Sequence, residues 1–200
     1  MESGSTPKSE GSQLALVKSY ILKEASGCVN NKALQGFYHW QAEALTEVPV
    51  SNAVPQSCAI VGVLSAFEKT YGEAIPKECF ENSLRLSECG FNNQQEIAYV
   101  EGYILDVHQK GHRVLYSHAW KSIDGQHFDV TSLALQKVHD RQGEFQRFYF
   151  KVLELGFMES STLALHSEDE IQIPYYCNLK SLPVNSLERG WKIIENMEFI

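Results

Sequence analysis

Arg113-Val114-Leu115-Tyr116-Ser117-His118-Ala119-Trp120-Lys121-Ser122-Ile123-Asp124-Gly125-Gln126-His127-Phe128-Asp129-Val130-Thr131-Ser132-Leu133 is the stretch whose pattern decides the fold. Its β-branched and aromatic residues predict a strand over 113–123 and another over 126–133. Asp124-Gly125 supplies the two-residue turn between them. A two-residue loop places Ile123 opposite Gln126, Trp120 opposite Asp129 and His118 opposite Thr131. Side chains alternate with a period of two, so Asp129 and Thr131 share a face, and His118 lies on it. His118 and Asp129 become diagonal neighbours, about 7 Å apart at the backbone. A carboxylate so placed can accept a proton from one imidazole nitrogen, fix its tautomer and stabilise the imidazolium. Trp120 is assigned to the face opposite His118, as core rather than as a substrate platform.

Upstream of this hairpin, Ile97–Val107 predicts a further strand, and downstream Arg147–Leu155 another. Before them the period is helical. Helices are expected from Gln13 to Gly27, from Lys32 to Glu47, from an N-cap at Ser57 to Tyr71, and from about Lys77 to Glu88. Gly90 is expected at the C′ position of the last. Val48–Pro55 reads as a loop, and Asn185 or Ser186 opens a final helix through Asn196. Helices followed by an antiparallel sheet give an α+β fold, with N-terminal helices packed on the sheet. Residues 1–12 read as a disordered tail, and 13–200 as a single domain.

The 200 residues are 44% hydrophobic, enough for one sizeable core. A net charge of −8 does not favour binding to nucleic acid. Lys137, His139 and Arg141 are interrupted by Asp140 and read as a solvated face, as do Glu168, Asp169 and Glu170. No apolar run approaches the roughly 20 residues that span a bilayer, and the N-terminal residues lack a secretory signal. The five cysteines, Cys28, Cys58, Cys79, Cys89 and Cys177, are odd in number and irregular in spacing. They favour reduced thiols in a cytoplasmic compartment over a disulfide framework or a zinc site. His108 and His112 are spaced i, i+4 but flank Gly111 in a loop, so no metal is expected, and no cofactor.

A general base requires a nucleophile. Cys79 falls in the first turn of the fourth helix, where unpaired N–H groups and the helix dipole favour a thiolate. Its own N–H could donate to an oxyanion. Cys58, at the start of the third helix and just after Gln56, is the alternative nucleophile. Gln56, Asn82, Gln94 and Gln95 are each chemically able to supply a second oxyanion donor.

Cys79-Phe80-Glu81-Asn82-Ser83, Tyr99-Val100-Glu101-Gly102-Tyr103, His118-Ala119-Trp120 and Asp129-Val130-Thr131 occur in that order. The succession resembles transglutaminase-like, papain-related cysteine enzymes, and is similar to a group of small bacterial and phage-type proteins sharing these four motifs. The resemblance covers about residues 76–135. It implies Cys79 as nucleophile, His118 as general base and Asp129 as orienting carboxylate. Asn82, Glu101 and Trp120 match motif positions, with substrate-binding or oxyanion roles open to them.

The activity so implied is cysteine-dependent acyl transfer on an amide through a thioester. The amide would be a peptide bond or a Gln/Asn side-chain carboxamide, and the reaction proteolysis, deamidation or transglutamination. A protein or peptide substrate is expected. The alternative is an inactive module of the same fold that binds or inhibits a partner protein.

Overall fold

A computed structural model describes residues 11–51, 53, 57–75, 78–109, 111–133 and 145–165. In chain order these form α1 (Gly11–Gly27), α2 (Lys32–Ala44), β1 (Thr46–Val48), β2 (Val50–Ser51), α3 (Cys58–Tyr71) and α4 (Cys79–Asn92). Then follow β3 (Ala98–His108), β4 (Arg113–Ile123), β5 (Gln126–Phe128), β6 (Phe145–Leu155) and α5 (Phe157–Leu165). The architecture is mixed α and β, with a six-stranded sheet in the order β1-β6-β3-β4-β5-β2. Every pairing is antiparallel except β2 with β5.

Local chemistry explains the ends of the helices. Asn31 accepts a hydrogen bond from the Leu34 N–H at the start of α2, and Ser57 accepts one from Ile60 at the start of α3. Gly72 ends α3 with φ +82°, a conformation that a side chain would strain. α2 stops at Ala44 instead of Glu47, because Thr46–Val48 is drawn into the sheet beside β6. α4 runs through Gly90 to Asn92, so Gly90 is no C′ residue. It is needed where it stands, because a Cβ there would lie 2.9 Å from the Gln95 carbonyl oxygen. The predicted start of this helix at Pro76 and Lys77, the tail through residue 10 and the helix over 185–196 lie outside the described residues. So do the charged groups at 137–141 and 168–170. Gly11 already belongs to α1, and α5 was not foreseen.

The Asp124-Gly125 turn forms as expected. Both residues have positive φ, and Ile123 pairs with Gln126. The strand after it ends at Phe128, however, not at Leu133. Asp129 leaves the ladder, and the chain makes a helical turn over 130–133, with the Leu133 N–H on the Asp129 carbonyl.

Two short strands settle the shape of the sheet. β1 lies on one edge and β2 on the other, yet only Pro49 separates them. Two Cα–Cα steps span at most about 7.6 Å, whereas five strand spacings in a flat sheet span about 24 Å. The sheet must therefore curl until its edges nearly meet. Val48 and Val50 pack with Val100, Ile104, Tyr116, Trp120 and Tyr149 on the inner face of the curl. On the outer face, Tyr103, Leu105, Leu115 and Phe150 meet Val17 and Ile21 of α1 and Ala42 of α2. Val63 and Phe67 of α3 and Leu86 of α4 pack there with Phe128 and Ile97. Lys121, also on this face, is completely buried. Its side-chain nitrogen meets the Ser87 hydroxyl, lies 3.4 Å from the Ala98 carbonyl, and sits 5.1 Å from the centre of the Tyr99 ring.

Gly102 explains one motif glycine. It pairs with His118 across β4 and sits at a bulge against β6, where a Cβ would collide with the Phe150 carbonyl. Only a residue without a side chain fits between these strands.

Candidate active site

Three elements converge at one end of the curl. His118 comes from the middle of β4 and is 5% exposed. Its Nε2 lies 2.8 Å from Asp129 Oδ2. Asp129 reaches that position because it has left β5: its Oδ1 accepts the Ser132 N–H at 3.0 Å, capping the helical turn that follows. The Tyr149 hydroxyl donates to Oδ2 at 2.9 Å. The carboxylate is thus held by three donors from β4, β6 and its own turn, and is 2% exposed.

Cys79 is the first residue of α4 and is buried against Phe80, Tyr99 and Ala119. The helix opens at Glu78 without a side-chain cap, so no side chain of the N-cap competes for the N–H groups of the first turn. Cys79 is close enough to His118 for both its charge and a side-chain hydrogen bond to favour the imidazolium. With Nε2 committed to Asp129, Nδ1 is the nitrogen left for the thiol.

The electrostatics agree from both sides of the pair. Burial is the largest influence on His118 and opposes its charge. The Asp129 carboxylate, followed by Cys79, outweighs burial and raises the imidazole pKa to about 10. Burial is also the largest influence on Asp129, and alone would raise its pKa. The charge and hydrogen bond of His118, with the bonds from Ser132, instead hold it well below the usual carboxylate range.

The remaining sequence candidates fall elsewhere or serve other purposes. Asn82 is buried, and its carboxamide is committed. It accepts from the Ile75 N–H at 3.0 Å and donates to the Ile75 carbonyl at 2.7 Å and to Thr131 Oγ1 at 3.0 Å. It clamps α4 to the preceding loop and to the turn after Asp129. Glu101 is buried on the outer face, where the Tyr99 hydroxyl donates to it.

Trp120 stands on the same face as His118, not the opposite one. Residues two apart in a regular strand point the same way, and the two rings stack at 6.4 Å. It is fully buried and donates from Nε1 to His127 Nδ1 at 3.2 Å, which makes it core. Gln94 and Gln95 lie beyond the far end of α4, a helix roughly 20 Å long. Gln56 lies outside the described residues. Cys58 is the first residue of α3, and its side chain is not described.

Sequence reasoning missed Tyr149, Ser132 and the pair behind them. Arg147 donates from Nε and Nη2 to the two oxygens of Asp106, both at 2.7 Å, and from Nη1 to Ser132 Oγ at 2.6 Å. Tyr116 also donates to Asp106, at 3.1 Å. Asp106 and Arg147 did leave a signal: they are opposite charges inside strands rich in apolar residues. Ser132, three residues after Asp129, has the spacing of a capped turn.

Among the described residues Cys28, Cys79 and Cys89 are free thiols, and no cluster of His, Cys, Asp or Glu could hold a metal ion. None of the described helices is long and apolar enough to cross a membrane. Compared with known proteins, the chain matches no family model, no curated protein and no solved structure.

Proposed function

We propose that this chain is a cysteine-dependent acyl-transfer enzyme of papain or transglutaminase type, acting on a peptide bond or a side-chain carboxamide. The observation that carries this reading is the buried His118–Asp129 pair at 2.8 Å, with its imidazole turned to a thiol at a helix N-terminus. In this reading His118 and Cys79 rest as imidazolium and thiolate. The thiolate attacks the carbonyl carbon, and the oxyanion accepts hydrogen bonds from N–H groups at the start of α4. The Nδ1 proton of His118 passes to the leaving amine, and a thioester remains on Cys79. Water or a second amine then attacks the thioester, His118 takes the proton, and the thiolate returns. Asp129 stays ionised and holds the imidazole in place.

The test is iodoacetamide labelling across pH, located by peptide mass spectrometry, on the wild type and on His118→Ala. Fast labelling of Cys79 that persists below pH 7 and collapses in His118→Ala is the expected result. Cys89, equally buried at 5% exposure, is the internal reference. If Cys79 labels no faster than Cys89, the proposal is wrong. Preferential labelling of Cys58 would move the nucleophile to α3. One observation favours a second reading, that of a binding or inhibitory module: Cys79 and His118 are each only 5% exposed, which leaves a substrate little access.

A further inference from the structure

A buried carboxylate that orients a histidine must remain ionised and must not rotate. The His118 bond alone ensures neither, since a carboxyl group held at one oxygen can swing about its last torsion. Here Tyr149 and His118 share Oδ2 while the Ser132 N–H holds Oδ1, so both oxygens are fixed. Behind them the donors form a chain. Arg147, held in a two-pronged bond to Asp106, donates to Ser132 Oγ at 2.6 Å, and Ser132 Oγ lies 3.4 Å from the Tyr149 hydroxyl. A hydroxyl has one proton to give. Tyr149 gives its proton to Asp129, and the Ser132 oxygen already accepts from Arg147. The Ser132 proton is left free to turn toward Asp129, whose charge it favours. The chain leads to the carboxylate through Ser132 and Tyr149, and it starts at a guanidinium that does not lose its proton.

From this geometry we infer that Tyr149 and Ser132 are positioning residues of the site, a donor relay anchored on Arg147 that keeps Asp129 an aligned anion. The inference rests on the catalytic reading for its biological use, but not for its physical content. Among the described residues, the charged and titratable groups around Asp129 are His118 and Tyr116 on β4, Tyr149 and Arg147 on β6, Asp106 on β3, and Cys79 of α4 through His118. Of these, only His118 and Tyr149 bond the carboxylate directly.

The experiment follows the Asp129 carboxyl carbon by NMR as pH is lowered, in the wild type, Tyr149→Phe and Ser132→Ala. Tyr103→Phe is the control, since it also loses a buried tyrosine hydroxyl bond, to Gln41 on the outer face. Loss of one hydrogen bond to a charged group should raise the Asp129 titration by about one pH unit in Tyr149→Phe. A smaller rise is expected in Ser132→Ala, and none in Tyr103→Phe. Cooperative unfolding of each variant confirms that it folds, and the phenyl ring preserves the packing of Tyr149 on Trp120.

If Cys79 is activated, the acid limit of its alkylation rises with the Asp129 titration. An Asp129 that shifts while Cys79 stays inert in every variant would support the relay and refute the catalytic proposal. An Asp129 in Tyr149→Phe that remains ionised to the same pH as in the wild type overturns the relay, whatever Cys79 does. An equal shift in Tyr103→Phe overturns it as well, because the effect would then be general loosening.

Discussion

His118 and Lys121 stand three residues apart on the same strand, point to opposite faces of the sheet, and are both buried. The imidazole on the inner face is pushed toward its charged form, whereas burial drives the amine on the outer face well below its ordinary pKa. Burial acts on both in the same direction. The difference is the anion: Asp129 lies 2.8 Å from His118, while Lys121 meets a hydroxyl, a carbonyl and the face of a ring. Burial alone lowers the pKa of a buried base, and the counter-charge that the fold supplies at His118 reverses the direction.

Asp129→Ala should have the largest effect. His118 then keeps only Cys79 against the effect of burial, and its pKa should fall well below about 10. Removing one partner of a buried pair costs about 3–5 kcal/mol, which urea unfolding at pH 7 would measure. A loss under about 1 kcal/mol would mean that the pair contributes little.

The pH dependence of stability sharpens the contrast. His118 has a raised pKa in the folded state, so its contribution is complete below its ordinary value near 6.5. It is lost as pH rises through about 10. Asp129 has a lowered pKa, so its contribution is present above the ordinary carboxylate value and lost as pH falls toward the depressed one. Stability should therefore be flat between roughly pH 5 and 6 and decline on either side, with both flanks attenuated in Asp129→Asn. Flanks unchanged by that substitution would place the titrating groups elsewhere.

Lys121→Met should have the smallest effect and the opposite sign. Burial lowers the Lys121 pKa in the folded chain, so the unfolded chain holds that proton more tightly, and this disfavours folding. Methionine abolishes that difference, and Ser87 keeps its bond to the Ile97 carbonyl at 3.0 Å. A gain on the order of 1 kcal/mol is expected, read as a higher denaturant midpoint. A clear loss would show that Lys121 is charged in place.

The turn at Asp124-Gly125 was legible because few residues accept positive φ, and those two did. The nearness of His118 and Asp129 was legible through the same register, although the strand assumed for Asp129 ends one residue before it. What defeated the strand was a local competitor: an aspartate three residues before the Ser132 N–H caps a helical turn more readily than it extends a ladder. The face of Trp120 was legible and misread, since alternation alone places it with His118. Tyr149 could not be found this way. Its neighbour on β3 is Ile104, 45 positions earlier, and no local pattern records which strands lie side by side. β1 and β2, at three and two residues, are too short for any periodicity to reveal.

Those two short strands carry a consequence for how the molecule meets its own copies. Sheets aggregate through their edges, and both edges of this sheet belong to one stretch of six residues, Thr46–Ser51. While that stretch is seated, it pairs with Tyr149–Lys151 of β6 on one side and with His127–Phe128 of β5 on the other. Should it peel away, β6 and β5 are uncovered together. These two covers form a single latch, and a cut or a destabilising substitution between Thr46 and Ser51 uncovers Tyr149–Lys151 and His127–Phe128 in one event.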